Sequence, residues 1–428
     1  MTDTKNNCDC ADFVANGGSC KHVDPVKIYK VDYPKSNLVE PEPAKEPKKQ
    51  RRTYPQDWSG YNAAQTNEKT HFMELLAGLC EFVEDEEVCG PGRPPIALRD
   101  IVFLIIYKVY EQLSTRRFMS DARIAHRSGF ISDMPHFNSI INGMKNERLT
   151  EELFKFIKIS SLPFRGLEQT FAADSSGFAA SPYDRWQEIK PGGDPDDGAD
   201  TPKRKKKRKK EEDKEVDAEE YTDKERKMWA KVHLMCGVRT HVVTAVVIKD
   251  KDASDSRQLP ELVEKTISNF AIKQVCADKA YGSIENYQVM ANHGIDPFIP
   301  FKSNQTGAGK GRSGKEHKTE GGALWKRKFH QFQFHSEEFN QLYHQRSNVE
   351  TVFSMIKKKF GSAVRSKSER GMLNEALCKI ICHNIYCIIH ATFELGLDVD
   401  HLHPTRPRVP NFQVIDGGLS RREEVRPV

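Results

Sequence analysis

Apolar positions along residues 69–160 recur at helical spacing. HFMELLAGLCEFVEDE carries them three and four apart, GPGRPP breaks the chain, and IALRDIVFLIIYKVYEQL follows as a strongly apolar helix. FMSDARIAHRSGF, MPHFNSIINGMKN and LTEELFKFIKI predict three more helices. From about residue 166 the period changes. LEQTFAAD predicts a strand ending at Asp174. KVHLMCGV alternates and HVVTAVVI is a β-branched run after a short connection, which together predict a hairpin. LPELVEKTISNF then reads as helix, KQVCAD as strand, IENYQVMANHG as helix and PFIPF as strand, and NEALCKIICHNIYCIIHATFEL is a helix that closes the core. This order predicts an α/β fold, a mixed sheet flanked by helices and preceded by a helical region.

Composition adjusts that picture. The chain has 428 residues, room for two or three domains. It is 37% hydrophobic and 30% charged, and its net charge of +5 barely points to nucleic acid. Distribution says more, because the 66 Lys and Arg are clustered. Residues 31–68 are rich in Pro, Lys and Glu and predict a disordered linker. Residues 187–225 contain KRKKKRKKEEDKEVDAEE, a charged insertion in which no core can form. Its basic block either touches nucleic acid or is simply solvated. Arg116, Arg117, Arg123 and Arg127, spread over the short helices of 69–160, fit a helix-turn-helix-like DNA-binding unit or a helical scaffold with a solvated face. Residues 399–428 read as a tail. The longest apolar run, 101–110, is broken by Lys108 and falls short of the ~18–20 residues that span a bilayer. With no signal-peptide core at the N-terminus, the expectation is a cytoplasmic protein with reduced thiols. Its ten cysteines are then metal ligands or buried thiols.

YHQRSNVETVFSMIKKKFG, residues 343–361, places four polar residues on one stripe. With Tyr343 at zero on a ~100° step, Arg346 falls near ~300°, Glu350 near ~340° and Lys357 near ~320°. Val349, Val352, Phe353 and Ile356 fall on a neighbouring face. Spacing alone admits two readings: a carboxylate held among phosphate-binding cations, or a surface helix with an ordinary i,i+4 pair.

Two further acids sit at predicted strand ends, where α/β sheets form their sites. Asp174 lies in FAADSSGF and Asp278 in VCADKAYGS. Three hard oxygen ligands suit Mg²⁺ or Mn²⁺. YHQRSNVETVFSMIK, ADSSGF and ADKAYGS together resemble, in order, the Y-(2)-R-(3)-E-(6)-K signature and the two aspartate motifs of DDE transposases of prokaryotic insertion sequences. GRPPIALRDIVF and RRFMSDARIAH resemble the N-terminal helical region of the same family, so the resemblance covers roughly residues 90–395. It implies a ribonuclease-H-like catalytic domain over 165–398, with Asp174, Asp278 and Glu350 as a metal-binding triad. It also implies Tyr343, Arg346 and Lys357 as contacts to transposon-end DNA. The implied chemistry is two-metal in-line displacement, Asp174 bridging the ions, first in cutting a phosphodiester and then in joining the freed 3′-OH to target DNA. A homodimer on DNA is the implied assembly. A regulator without catalysis, or a nuclease of the same fold, would share these features.

CDCADFVANGGSCKHV at the N-terminus sets Cys8, Cys10, Cys20 and His22 as C-x-C-(9)-C-x-H, a complete tetrahedral zinc set. The pattern resembles the SWIM zinc finger, which implies a structural Zn²⁺ module over 1–30. Cys378, Cys382 and Cys387 share one apolar helix with His383 and His390, where buried thiols are the expected role. Trp325, in a basic stretch, is either a base-stacking aromatic or a core residue.

Overall fold

The computed structural model describes residues 57–84, 96–179, 229–250, 253–307, 319–399, 402, 413–415 and 418–420. The expected zinc module, the charged insertion 187–225 and most of the tail lie outside these residues. The helical region opens with α1 (Trp58–Cys80), α2 (Leu98–Glu111), α3 (Thr115–Arg127), α4 (Phe137–Gly143) and α5 (Glu147–Ser161). α1 begins ten residues before the expected linker ends. Asp57 caps it, accepting the Gly60 N–H at 3.0 Å, and Ala64 and Glu68 are buried along it. Residues 58–68 are therefore helix and not linker: polar side chains outnumber apolar ones there, but the few small apolar positions fall on the packed face.

The sheet follows: β1 (Thr170–Ala179), β2 (Trp229–Gly237), β3 (Val243–Asp250), β4 (Gln274–Ala277) and β5 (Asp296–Phe298), in the order β3-β2-β1-β4-β5. β1–β2 and β2–β3 are antiparallel, whereas β1–β4 and β4–β5 are parallel. α6 (Leu259–Ile267) and α7 (Ile284–Asn292) make the parallel crossovers. The chain continues through α8 (Glu320–Phe334), α9 (Ser336–Tyr343), α10 (Ser347–Phe360) and α11 (Glu369–Leu395).

β1 does not stop at Asp174. It runs to Ala179 because β2 pairs with it along its whole length, from Phe171↔Gly237 to Ala179↔Trp229. The turn-like DSSG signal is overridden by ladder hydrogen bonds to the hairpin, since local propensity is a weak prior beside long-range pairing.

Helical region and sheet share one continuous apolar core. Its axis is α11, with eighteen buried residues, packed on α1, α2 and α5. α11 is long and apolar enough to cross a membrane, but 78% of its most apolar window is buried within the protein. Cys378, Cys382 and Cys387 are among the buried residues, and burial pushes all three thiols up. Trp325 is also a core residue: it is 4% exposed, it donates its indole N–H to the Thr306 carbonyl at 2.9 Å, and Phe301 and Tyr287 meet it edge-on.

Candidate active site

β1 sets the geometry. Successive side chains of a strand point to opposite faces. Asp174, Ser176 and Phe178 face α10, while Ser175 faces the other side. On the α10 face, the Arg346 guanidinium lies between two carboxylates. Its Nη2 is 2.9 Å from Asp174 Oδ2 and its Nη1 is 2.5 Å from Glu350 Oε1. Eleven residues further along, Lys357 Nζ donates to Ser176 Oγ at 2.7 Å and lies 5.5 Å from the Phe178 ring centre. Asp278 arrives from the neighbouring strand. Ala173 and Ala277 are partners in the parallel β1–β4 ladder, so Asp174 and Asp278 occupy the next position on each of two adjacent strands. Asp278 caps the following turn, its Oδ1 accepting the Lys279 N–H at 2.6 Å.

Burial pushes the Asp174 carboxyl above its ordinary value, and the charges of Asp278 and Glu350 push it further. The Arg346 charge and the Ser175 N–H, 2.8 Å from Oδ1, act in the opposite direction. Tyr343 ends α9, and its hydroxyl is also raised, chiefly by burial, with Arg346 and all three acids acting on it. Burial lowers Lys357.

The segment 343–361 is not one helix. Tyr343 ends α9, His344–Arg346 form a 3₁₀ turn, and α10 begins at Ser347. The 3₁₀ turn tightens the winding, so Tyr343 and Arg346 leave a strict 100° spiral. The break carries Arg346 under β1, where it reaches Asp174. Glu350 keeps its place in the first turn of α10, and its side chain is 57% exposed. Cys8, Cys10, Cys20 and His22 lie outside the described residues.

Among the described residues, no three His, Cys, Asp or Glu side chains are grouped closely enough to hold a metal ion. Arg346 explains the spacing: a cation between Asp174 and Glu350 satisfies both while holding them apart. The residues themselves fit a hard divalent cation. They are three oxygen donors of like charge, one of them raised chiefly by burial and further by the other two, and a carboxylate set of this kind is stabilised by an ion of higher charge. Arg346 supplies only one positive charge. Its Nε is buried with no hydrogen-bond partner among the described residues, so the guanidinium is not fully matched in this position.

A second polar cluster, on the other face of β1, is not evident from motif spacing. Ser175 Oγ donates to Asp255 Oδ1 at 2.9 Å, and Lys231 Nζ is 2.6 Å from the same oxygen. His233 is fully buried, with Nδ1 3.5 Å from Asp255 Oδ1 and 3.4 Å from the Tyr281 hydroxyl. Burial holds His233 down at about 4. This network ties β1, β2 and the turn after Asp278 together one residue away from the acids. Its sequence signal is present: Lys231 and His233 are polar residues two apart in a strand that is otherwise apolar.

A five-stranded mixed sheet with Asp174 on its central strand, Asp278 just beyond the adjoining strand and Glu350 on a flanking helix is consistent with a ribonuclease-H-like domain. Residues 166–385, more than half of the chain, match the transposase DDE domain family, and the protein belongs to it. This family generally uses divalent metal ions and acts on DNA. No curated protein and no solved structure matches the chain.

Proposed function

We propose that the protein is a transposase that cuts phosphodiester bonds at the ends of an insertion sequence and joins the freed 3′-OH to target DNA. The observations that carry this reading are Asp174 and Asp278 at matching positions beyond the Ala173–Ala277 pair of the parallel ladder, and the Arg346 guanidinium shared between Asp174 and Glu350, within a segment that belongs to the DDE family. Asp174, Asp278 and Glu350 would hold Mg²⁺ or Mn²⁺, which supplies charge for the attacking and leaving oxygens of an in-line displacement. The remaining roles fall to this chain's own residues. Asp174 stands on the rigid central strand and fixes the centre of the site. Glu350, exposed on the first turn of α10, can swing inward. Arg346, released from the two carboxylates, turns to a DNA phosphate. Tyr343 and Lys357 flank that path as further contacts to end DNA. Residues 1–30 would form a structural zinc module through Cys8, Cys10, Cys20 and His22, outside the chemistry. Two copies acting on paired ends is the matching assembly.

The test is cleavage of a duplex bearing the DNA that borders the gene. Metal-dependent nicking at the element's end, followed by joined products with a second duplex, is expected. Nicking without joining would leave a nuclease, and binding with neither would leave a DNA-binding regulator.

A further inference from the structure

Beyond Lys357, the α10 face of β1 leads into a cleft that the site above does not use. α10 ends at Gly361, whose φ of +84° only glycine adopts easily. The chain then runs beside the end of β1, Val364 donating its N–H to the Ala179 carbonyl at 2.7 Å. Two adjoining cavities, of about 420 and 610 Å³, open between this segment and the helical region. They share Lys108, Leu113, Arg365 and Lys367. Lys145 and Lys379 add two more cations, and the only acid in either lining is Glu375. That carboxylate is already engaged, accepting N–H groups from Arg365 and Ser366 and the Ser366 hydroxyl at 2.8–3.0 Å.

Lys108 is the unusual member. It interrupts the apolar α2, is partly buried, and makes no hydrogen bond or ion pair among the described residues. Burial lowers it, the Glu375 charge acts against that, and the neighbouring Arg365 charge lowers it further. One carboxylate, Glu375, already bonded to the Arg365–Ser366 loop, is the single acid facing five cations of the two linings, which leaves the cleft with an excess of positive charge. Two helix N-termini border the larger cavity as well. Ser114, which caps α3, makes no side-chain capping bond, and Ser368 caps α11. Both add positive potential to the cleft.

We infer that this cleft, lined by Lys108, Lys145, Arg365 and Lys367, binds the phosphodiester backbone of the same duplex whose end is cut at Asp174. The inference rests on the transposase reading. Three observations favour a long polyanion over a small one. The cations are spread over two joined cavities instead of converging on one point. Lys145, Arg365 and Lys367 are exposed at the rim. The cleft also adjoins the site, because the Phe178 ring meets both Lys357, at 5.5 Å, and the cleft residue Lys379, at 5.6 Å. From Glu350 to Phe360 α10 rises roughly 15 Å, which is about four to five base pairs of duplex.

The experiment uses the full-length protein, a labelled end duplex and EDTA to prevent cutting, with affinity followed against KCl and hydroxyl-radical footprints taken alongside. The exposed pair Lys145→Ala and Lys367→Ala, combined, is expected to reduce the slope of log K against log salt by about two, close to one for each cation. Footprint protection about four to five base pairs from the cleavage position should disappear with it. Lys108→Gln adds a second, independent probe from inside the cleft. Wild-type protein that binds the duplex while the variants keep its slope and footprint would overturn this inference and leave the transposase reading standing. Wild-type protein with no salt-dependent binding to the duplex would overturn both.

Discussion

The two ends of α10 carry the same kinds of charged residue and treat them in opposite ways. At the N-terminal end Arg346 is shared between Asp174 and Glu350, its Nε has no partner among the described residues, and Glu350 is more than half exposed. At the C-terminal end Glu375 accepts hydrogen bonds from three donors of the loop after α10, the Arg365 N–H, the Ser366 N–H and the Ser366 hydroxyl. Beside it the buried Lys379 donates to the Gly361 and Ala363 carbonyls, each at 2.7 Å. The first joins residues 172 positions apart, whereas the second is drawn from α11 and the loop that precedes it. Only the second satisfies its acid and its most buried lysine, Glu375 and Lys379, and a satisfied buried network specifies and rigidifies a structure. An under-satisfied cluster costs stability, and that cost marks a site with another purpose. The degree to which its acid is satisfied, more than the presence of charge, separates the working end of this helix from the Glu375–Lys379 anchor.

The sharpest way to break the comparison is to mutate each end and read both activity and stability. Asp174→Asn should remove metal-dependent cleavage below detection while leaving DNA affinity in EDTA within about threefold, a change under ~1 kcal/mol. Its melting temperature should not fall, because the substitution removes a buried charge repelled by Asp278 and Glu350. A variant that still cut DNA would exclude Asp174 from the chemistry. Glu375→Ala should do the reverse. It strips the loop N–H groups of their acceptor and leaves Lys379 and Lys108 without a counter-charge, for a loss of about 3 kcal/mol in urea unfolding. A loss below ~1 kcal/mol would show that the anchored end is no more built than the surface.

How far the sequence reveals this contrast depends on the range of the interactions. The mixed sheet, its hairpin and the order of its elements follow from periodicity, because each strand and helix encodes its own buried face. Asp174, Asp278 and Glu350 stand out because motif spacing is local to each. The extent of β1 does not stand out, since β2 dictates it from beyond the charged insertion. Arg346 shows the same limit: its i,i+4 partner Glu350 is legible, but its partner Asp174 is 172 residues away. The Ser175–Asp255–His233 network joins three separate segments, and Glu375 and Lys379, though an i,i+4 pair, bond the preceding loop. Only their polarity within apolar stretches hints at them.

A smaller effect is expected at the working end from Arg346→Ala. With the guanidinium gone, end-DNA binding should lose about one unit of salt slope. Unfolding free energy should also fall, though less than for Glu375→Ala: the lost pair with Glu350 is largely exposed, but Asp174 is left partly buried beside Asp278 and Glu350 without its counter-charge. An unchanged slope would confine Arg346 to its contacts with the acids.

The smallest and most specific effect concerns the anchored end and pH. Lys379 is 2% exposed, and burial lowers it to about 8, the charges of Glu375 and Arg365 acting in opposite directions. In the unfolded chain a lysine keeps its proton up to about 10.4. Below pH 8 both states hold the proton, so the folded protein bears the whole cost of a buried ammonium. Between roughly pH 8 and 10 the folded state has released the proton and the unfolded state has not. Unfolding then takes up a proton, and stability rises with pH on account of this group. Lys379→Met keeps the aliphatic stem and removes the titration. The wild type, compared with Lys379→Met in urea melts at successive pH values, should therefore gain stability relative to the variant across that window. Parallel curves would mean that the carbonyls of Gly361 and Ala363 hold Lys379 fully charged, which would make this end of the helix more completely satisfied than its burial implies.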